Sequence, residues 1–147
     1  MFRRVPLLGL LLFTFPGVAQ QNLPPRLISA EMPFYPPIAA AAHITGWLRI
    51  RIKVENGKVA RTEVLTTEAK DDRSHVWEKG SQLLIAPTLN YLESWRFDSD
   101  VKTSFVVTFT YKIAGTETDK PTTPKIEVSP SLNVIITARP VRPTVNY

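Results

Sequence analysis

Apolar and polar residues alternate strictly along two stretches of this chain, which is the pattern of a half-buried β-strand. The first stretch opens at Gly46, and the second covers residues 101–113. Each stretch predicts a strand with one face on a core and the other in water. The predicted core-facing residues are Leu48, Ile50, Ile52 and Val54 in the first strand and Thr103, Phe105, Val107, Phe109, Tyr111 and Ile113 in the second.

The dipeptide Asn56-Gly57 supplies the two positive-φ residues of a type I′ turn, so residues 59–65 are predicted to run back antiparallel. A regular register would place the charges of Arg61 and Glu63 against isoleucines of the apolar face. One extra residue at Ala60-Arg61 brings Thr62 opposite Ile52 and Val64 opposite Ile50 instead. We therefore predict a β-bulge there.

Two helices are predicted around this hairpin. Pro36-Pro37 precede Ile38 and four consecutive alanines, so a short helix should begin there and end near His43. Apolar residues recur later at helical spacing, with Pro87 tolerable if it lies in the first turn. Residues 66–80 are predicted to be a long connection with room for one turn of helix. The apolar helix positions are Ile85, Leu89 and Leu92, with Leu84, Thr88, Tyr91 and Trp95 on an adjoining stripe.

The element order α-β-β-α-β predicts one α+β domain. Four segments follow along the chain: a signal peptide over residues 1–19, an extended lead-in over 20–32, the domain over 33–113, and a proline-bearing tail over 114–147. A strand at residues 132–138 of this tail could add an extra C-terminal edge to the sheet.

The N-terminus carries two arginines, Arg3 and Arg4, then an apolar run over residues 5–18 and the small-x-small site Gly17-Val18-Ala19. This pattern predicts a secretory signal cleaved near Ala19 and a periplasmic or secreted protein. The alternative is a retained inner-membrane anchor that faces the periplasm. A 14-residue helix reaches only about 21 Å, however, against a hydrocarbon core of about 30 Å.

The composition of the chain excludes several kinds of functional site. The 147 residues include no cysteine, which excludes disulfides, thiolate metal sites and a cysteine nucleophile. His43 and His75 are too few for a metal site, and the carboxylates of Asp71-Asp72 and of Asp98 and Asp100 have no histidine partner in the pattern. We therefore predict no catalytic residue, no metal, no cofactor and no enzyme activity.

The net charge is +5 for the whole chain and +3 once Arg3 and Arg4 leave with the signal. The cations form no run, so a nucleic-acid partner is not expected. The wet face of the first strand is a candidate exposed face, because an aromatic residue there lies beside three cations and could receive an acidic or aromatic segment. The alternative is an ordinary wet sheet face. Its residues are Trp47, Arg49, Arg51 and Lys53.

Several of these motifs occur in an order that resembles the C-terminal domain of TonB-family proteins, over roughly residues 31–113. Tyr35-Pro36 precedes the alanine-rich helix, Gly46 opens the first strand, Gly57 lies in the turn, and Trp95 and Phe97 close the second helix. The resemblance implies a two-layer α+β fold, with a small antiparallel sheet and two short helices on one face, in a domain that meets outer-membrane receptors in the periplasm. We expect Trp95 and Phe97 in the core, with a binding groove as the alternative.

The function that this resemblance implies is a non-enzymatic module that binds an extended segment of an outer-membrane receptor by β-augmentation. The strand at 101–113 is predicted as the receiving edge, unless residues 132–138 cap it. Two alternatives are a membrane-anchored energy transducer for outer-membrane transport and a structural homodimer. Membrane contact is expected only indirectly. The candidate edge residues are Phe105, Val106, Val107, Thr108, Phe109, Thr110 and Tyr111.

Overall fold

A computed structural model describes residues 24–73, 75–76, 78–98, 100 and 102–143. The predicted signal peptide lies outside these residues. In chain order the elements are β1 (Leu27–Ser29), α1 (Pro37–Ala41), β2 (Thr45–Glu55), β3 (Lys58–Lys70), α2 (Glu78–Leu92), β4 (Arg96–Phe97), β5 (Thr103–Ile113), β6 (Lys125–Val128) and β7 (Asn133–Ala138). Within this part of the chain, neither helix is long and apolar enough to cross a membrane.

All seven strands belong to one sheet, in the order β1-β4-β3-β2-β5-β7-β6. The pairing of β5 with β7 is parallel and the other pairings are antiparallel, and the sheet curls into a half-barrel. The predicted fold class is therefore wrong, because 46% of the described residues are strand and 17% are helix. The predicted order is present as α1, β2, β3, α2 and β5, but it forms part of a larger mixed sheet.

The hairpin of β2 and β3 confirms the predicted turn and bulge. Asn56 and Gly57 both have positive φ, at 52° and 72°. The register pairs Ile52 with Thr62 and Ile50 with Val64, with a shift between Lys53 and Val54. The extra residue keeps the charges of β3 off the apolar face, as the sequence required.

The predicted connection over residues 66–80 is wrong at both ends, because β3 continues to Lys70 and α2 already begins at Glu78. A second register shift, between Arg49 and Ile50, lets β3 skip Leu65 and continue beside β2. Helix α2 therefore encloses Pro87 in its interior rather than in its first turn. Pro87 has no N–H to donate to the carbonyl four residues earlier, so one intrahelical hydrogen bond is missing at that point.

The apolar faces predicted for β2 and β5 line the core, together with α1, α2 and β7. The C-terminal strand β7 confirms the strand expected at residues 132–138, but the surrounding segment is more than a tail because its side chains belong to the core. Strand β7 is also not at the edge, since β6 lies beyond it. The largest fully buried side chains are Trp95, Tyr111, Phe109, Ile44, Leu48, Ile50, Ile52, Leu84, Leu92, Ile136, Val54 and Val107.

Candidate partner-binding edge and outer face

Tyr35 and Pro36, the first motif of the resemblance, both have structural roles at the start of α1. The Tyr35 hydroxyl donates a hydrogen bond to the carbonyl of Ile44, and its ring packs edge-on against Tyr111 with centroids 5.4 Å apart. Burial raises the pKa of Tyr35 well above the ordinary tyrosine range. The Pro36 carbonyl accepts the Ala40 N–H at 2.9 Å and so opens the helix.

The two motif glycines are required by the backbone. A Cβ at Gly46 would lie 2.2 Å from the carbonyl oxygen of Glu68, so β2 and β3 can approach this closely only without a side chain there. Gly57 has φ of 72°, which favours glycine in the second position of the turn. Both glycines are therefore needed for the hairpin of β2 and β3: Gly46 for the close approach of the strands and Gly57 for the turn.

Trp95 and Phe97 are buried, with 0% and 3% of their surface exposed, which confirms the core prediction and excludes the groove alternative. Their ring centroids are 6.2 Å apart. The Trp95 Nε1 donates to the Glu31 carbonyl at 3.0 Å, and the Glu31 N–H donates to the Ser94 hydroxyl at the same distance. These bonds hold the extended lead-in, which contains β1, against the core.

Strand β5 is not the free edge that the sequence predicted. It pairs with β2 over residues 103–111 on one side and with β7 over residues 108–113 on the other. The alternating residues Val134, Ile136 and Ala138 bury their side chains when β7 lies beside β5, which is the physical reason for this pairing. Of the candidate edge residues, Phe105, Val106 and Val107 precede the β7 register, whereas Thr108, Phe109, Thr110 and Tyr111 lie between two strands.

The long unpaired edge belongs to β3. This strand pairs with β2 along its length, but on its other side the described chain offers only Arg96 opposite Lys58 and Val76 opposite Lys70. Residues 59–69 between these two bridges have a strand on one side only. The sequence interpretation missed this edge because it ended the strand at Leu65, although the Thr-rich alternation that follows was a usable signal.

The register identifies which backbone groups of β3 point away from β2. Glu55 and Lys58 close a two-residue turn and form a hydrogen-bonded pair, and such pairs alternate along an antiparallel ladder. Consistent with this, the Gly57 carbonyl points the other way and accepts the Phe97 N–H of β4 at 2.8 Å. The outward N–H and C=O groups therefore belong to Val59, Thr62, Val64, Thr67 and Ala69, which lie opposite Val54, Ile52, Ile50, Leu48 and Gly46.

The side chains along this edge differ between its two faces. On the inner face Val59 and Val64 are half-buried and pack against the core. The buried Thr67 hydroxyl has no hydrogen-bond partner among the described residues. On the outer face Arg61 and Glu63 are exposed. An extended segment with one apolar and one polar face would therefore fit beside β3.

The four residues predicted to share an exposed face do so. Arg49, Arg51 and Lys53 are exposed and Trp47 is half-buried, on the face of β2 opposite the core. Because β2 is the central strand of the sheet, these side chains lie at the middle of that outer face. The register adds further charged residues to this face: the cations Lys58, Arg61, Lys70, Lys112 and Lys125, and the acids Glu55, Glu63, Glu68 and Glu127.

Each acid of the outer face is held by a cation of the same face. The shortest oxygen–nitrogen distances are 2.9 Å for Arg51–Glu63, 2.9 Å for Lys53–Glu55, 3.0 Å for Lys70–Glu68 and 2.8 Å for Lys125–Glu127. The hydrogen bond from Lys53 and the charge of Lys102 lower the pKa of the Glu55 carboxyl. Within the described chain, Arg49, Lys58, Arg61 and Lys112 have no carboxylate in ion-pair contact, so the outer face has an excess of positive charge.

Neither histidine belongs to the outer face, and His75 lies just beyond the end of β3, where its carbonyl accepts the Asp71 N–H at 3.1 Å. His75 is exposed, and its Nδ1 lies 3.4 Å from the Asp71 carboxylate. Its backbone N–H donates to the same carboxylate at 2.9 Å, and this bond lowers the pKa of Asp71. His43 follows α1 with φ of 54°. The Asp71–His75 contact closes a turn of the loop that precedes α2.

No family model matches the chain, and no curated protein matches it either. The resemblance to the TonB C-terminal domain stays a prediction.

Proposed function

We propose that this protein is a non-enzymatic binding module that accepts an extended segment of a partner protein along the outer edge of β3. The observation that carries this proposal is the one-sided pairing of residues 59–69. Backbone N–H and C=O groups on such an edge can hydrogen-bond to an added strand, which is the basis of β-augmentation.

The edge of β3 is favoured over the other edges of the sheet by its length. Strand β1 has three residues and β6 has four, so each offers few backbone groups to a partner. The one-sided part of β5, residues 103–107, is also shorter than that of β3. Val59 and Ala69 lie next to the bridges to Arg96 and Val76, so a partner strand beside the middle of β3 meets the outward groups of Thr62, Val64 and Thr67. It also covers the half-buried Val64.

The partner and the compartment follow from the resemblance and the N-terminal pattern. We propose that the protein is exported and that its partner is a segment of an outer-membrane receptor. If the N-terminus is retained in the inner membrane, the same edge would serve an energy transducer. The intact mass of the protein from the periplasmic and membrane fractions separates these cases, because cleavage near Ala19 gives a chain that begins at Gln20.

Peptide selection combined with amide hydrogen exchange tests the proposed edge. We expect ten-residue peptides selected from a displayed random library to slow the exchange of the Thr62, Val64 and Thr67 amides. The neighbouring amides of Glu63 and Glu68 face β2 and should already exchange slowly in the free protein. This alternating protection is the expected signature of an added strand, and NMR of the labelled protein measures it.

A proline variant provides the control. Thr62→Pro removes an outward N–H, and we expect at least tenfold weaker peptide binding. Ile126→Pro makes the matched change on the opposite edge, since the neighbouring bond from Ser129 N–H to the Asn133 carbonyl (3.0 Å) indicates that the Ile126 N–H points outward. It should bind the peptides as the unmodified protein does.

Three results would contradict the proposal. One is that no selected peptide binds, and another is that the amides protected by bound peptide lie outside β3. The third is a molecular mass that increases with protein concentration, together with slow exchange of the outward β3 amides in the absence of peptide. That last result would favour the structural homodimer, because a second copy would then occupy the edge.

A further inference from the structure

We infer that the segment bound at β3 is acidic on its outer side, with carboxylates at two positions four residues apart that meet Arg61 and Arg49. This inference rests on the proposed function and names the chemistry of the partner. It follows from the order of charges along the β3 edge and from the ion pairs that already hold some of them.

An added strand would lie about 4.8 Å from β3, with alternate side chains on the outer face. The successive outer positions of β3 along the centre of the edge are Arg61, Glu63 and Thr66, since Leu65 is the extra residue of the second bulge and has no β2 partner. Residues i, i+2 and i+4 of the partner strand would therefore stand opposite these three side chains.

The position opposite Arg61 favours an acid. Arg61 is exposed and has no ion pair with a described carboxylate. It borders a surface depression of about 210 Å³ that Arg51, Lys53 and Ser104 also line. The only carboxylate of that depression, Glu63, is already bound to Arg51 at 2.9 Å. A partner carboxylate would therefore meet positive charge that the protein does not balance itself.

The middle position, opposite Glu63, disfavours an acid. The Glu63 carboxylate and the Arg51 guanidinium already form a hydrogen-bonded pair on this face. A second carboxylate beside Glu63 would add a like charge next to it, and like charges directly opposite each other destabilise a strand pair. A neutral or basic residue is expected at this position.

At the third position, opposite Thr66, a partner side chain can reach Arg49. Arg49 lies on β2 directly across from Thr66, with Thr108 on its other side. Both threonines are short, and Arg49 has no carboxylate in ion-pair contact within the described chain. A partner backbone beside β3 would be about 10 Å from β2. A glutamate can extend over Thr66 toward the long Arg49 side chain and span this gap with it.

Three nine-residue peptides test this charge pattern. All have valine at alternate positions for the inner face. The patterned peptide has glutamate, threonine and glutamate at the three central polar positions. Its isomer has the same composition with both glutamates at neighbouring polar positions, and the neutral peptide has threonine throughout. Because an opposite-charge cross-strand pair is worth about two- to fivefold in affinity, we expect the patterned peptide to bind about tenfold more tightly than the neutral one.

Charge-removing variants locate the effect. Arg61→Gln and Arg49→Gln should each reduce the advantage of the patterned peptide by about two- to fivefold. Lys112→Gln makes the same change in charge on the same face, but Lys112 belongs to β5, two strands away from β3. It should leave the advantage unchanged. Fluorescence anisotropy at low and physiological salt measures the affinities, and amide exchange locates the peptide.

The outcomes separate this inference from the proposed function. Equal affinities for the three peptides, with the outward β3 amides protected, would overturn the acidic pattern and leave the proposed function standing. Both acidic isomers could instead bind more tightly than the neutral peptide by the same factor, and lose this advantage in Lys112→Gln as much as in Arg61→Gln. Such a result would indicate diffuse electrostatic attraction and would also overturn the acidic pattern. If no peptide protects the β3 amides, the proposed function fails too. Binding of phosphatidylglycerol vesicles that depends on both arginines and protects no β3 amide would assign the face to anionic lipid instead.

Discussion

At the scale of single residues, a buried chain of hydroxyls joins α2 to β5. The Thr88 hydroxyl lies 2.6 Å from the Leu84 carbonyl and 2.6 Å from the Tyr111 hydroxyl. Thr88 has one hydroxyl proton and donates it to the carbonyl, so Tyr111 donates to Thr88. Burial raises the pKa of Tyr111 to about 12, because the charged phenolate would lose its water there.

This raised pKa makes stability fall at alkaline pH. The unfolded tyrosine titrates near pH 10, so the stabilisation is complete below that pH and is lost as the pH rises toward 12. We expect the melting temperature to fall above pH 10. Tyr111→Phe should lose about 1 kcal/mol at pH 8, from the missing hydrogen bond, but should show a shallower alkaline decline.

The buried Tyr35 also has a raised pKa, so the double variant Tyr35→Phe/Tyr111→Phe is the stricter comparison. Thermal melts from pH 8 to pH 12 measure all three proteins. If the melting temperature of the double variant falls as steeply at alkaline pH as that of the unmodified protein, groups other than these two tyrosines cause the fall.

At the scale of elements, the bulge in β3 holds the register of the hairpin. Val59 pairs with Val54 and Arg61 with Lys53, so Ala60 is the residue without a β2 partner. This extra residue is what keeps the apolar side chains beyond it facing the core. The same device recurs at Leu65 and extends the strand to Lys70.

Two single-residue deletions test the bulge. Deletion of Ala60 removes the extra residue and leaves every later pair in place, so we expect a cost of about 1 kcal/mol or less. Deletion of Thr62 also makes the strand one residue shorter, but the later pairs then keep their register only if Arg61 takes the place of Thr62 opposite Ile52 and turns toward the core. This should prevent folding, because an unpaired buried charge is very costly. Urea denaturation followed by tryptophan fluorescence compares the two. Equal losses of stability would contradict the assignment of Ala60 as the extra residue.

At the scale of the whole molecule, the C-terminal segment completes the core. Val134 and Ile136 are fully buried beside β5, and Leu132 and Ala138 are 5% exposed. The prolines that indicated a tail lie in the connections before and after β6 and β7. The segment therefore contributes hydrophobic burial to the fold and also covers half of the edge that β5 would otherwise present.

Truncation of one side chain measures this contribution. We expect Ile136→Ala to lower the free energy of unfolding by about 2–5 kcal/mol, because it leaves a cavity in a packed core. Thr137→Ala, at the next position on the outer face, should change it by about 0.5 kcal/mol or less. Chemical denaturation gives both values. A loss below about 1 kcal/mol for Ile136→Ala would show that this segment is only loosely attached.

The parts of the candidate site differ in how far they could be predicted. The basic face followed from period-two alternation, so Trp47, Arg49, Arg51 and Lys53 were placed on one face correctly. The receiving edge was placed on β5, whereas β3 has the longer unpaired side. An edge is defined by which strands fail to pair, and that depends on contacts between residues far apart in the chain.

The sequence by itself determined the local features: the faces of β2 and β5, the turn at Asn56-Gly57 and the bulge after it. These depend on side-chain alternation and backbone preference within a few residues. Only the tertiary structure decided the seven-strand order, the parallel partnership of β5 with β7 and the length of β3. The short strands β1, β4 and β6 have too few residues to show a period, and their place depends on long-range pairing and on burial against a shared core.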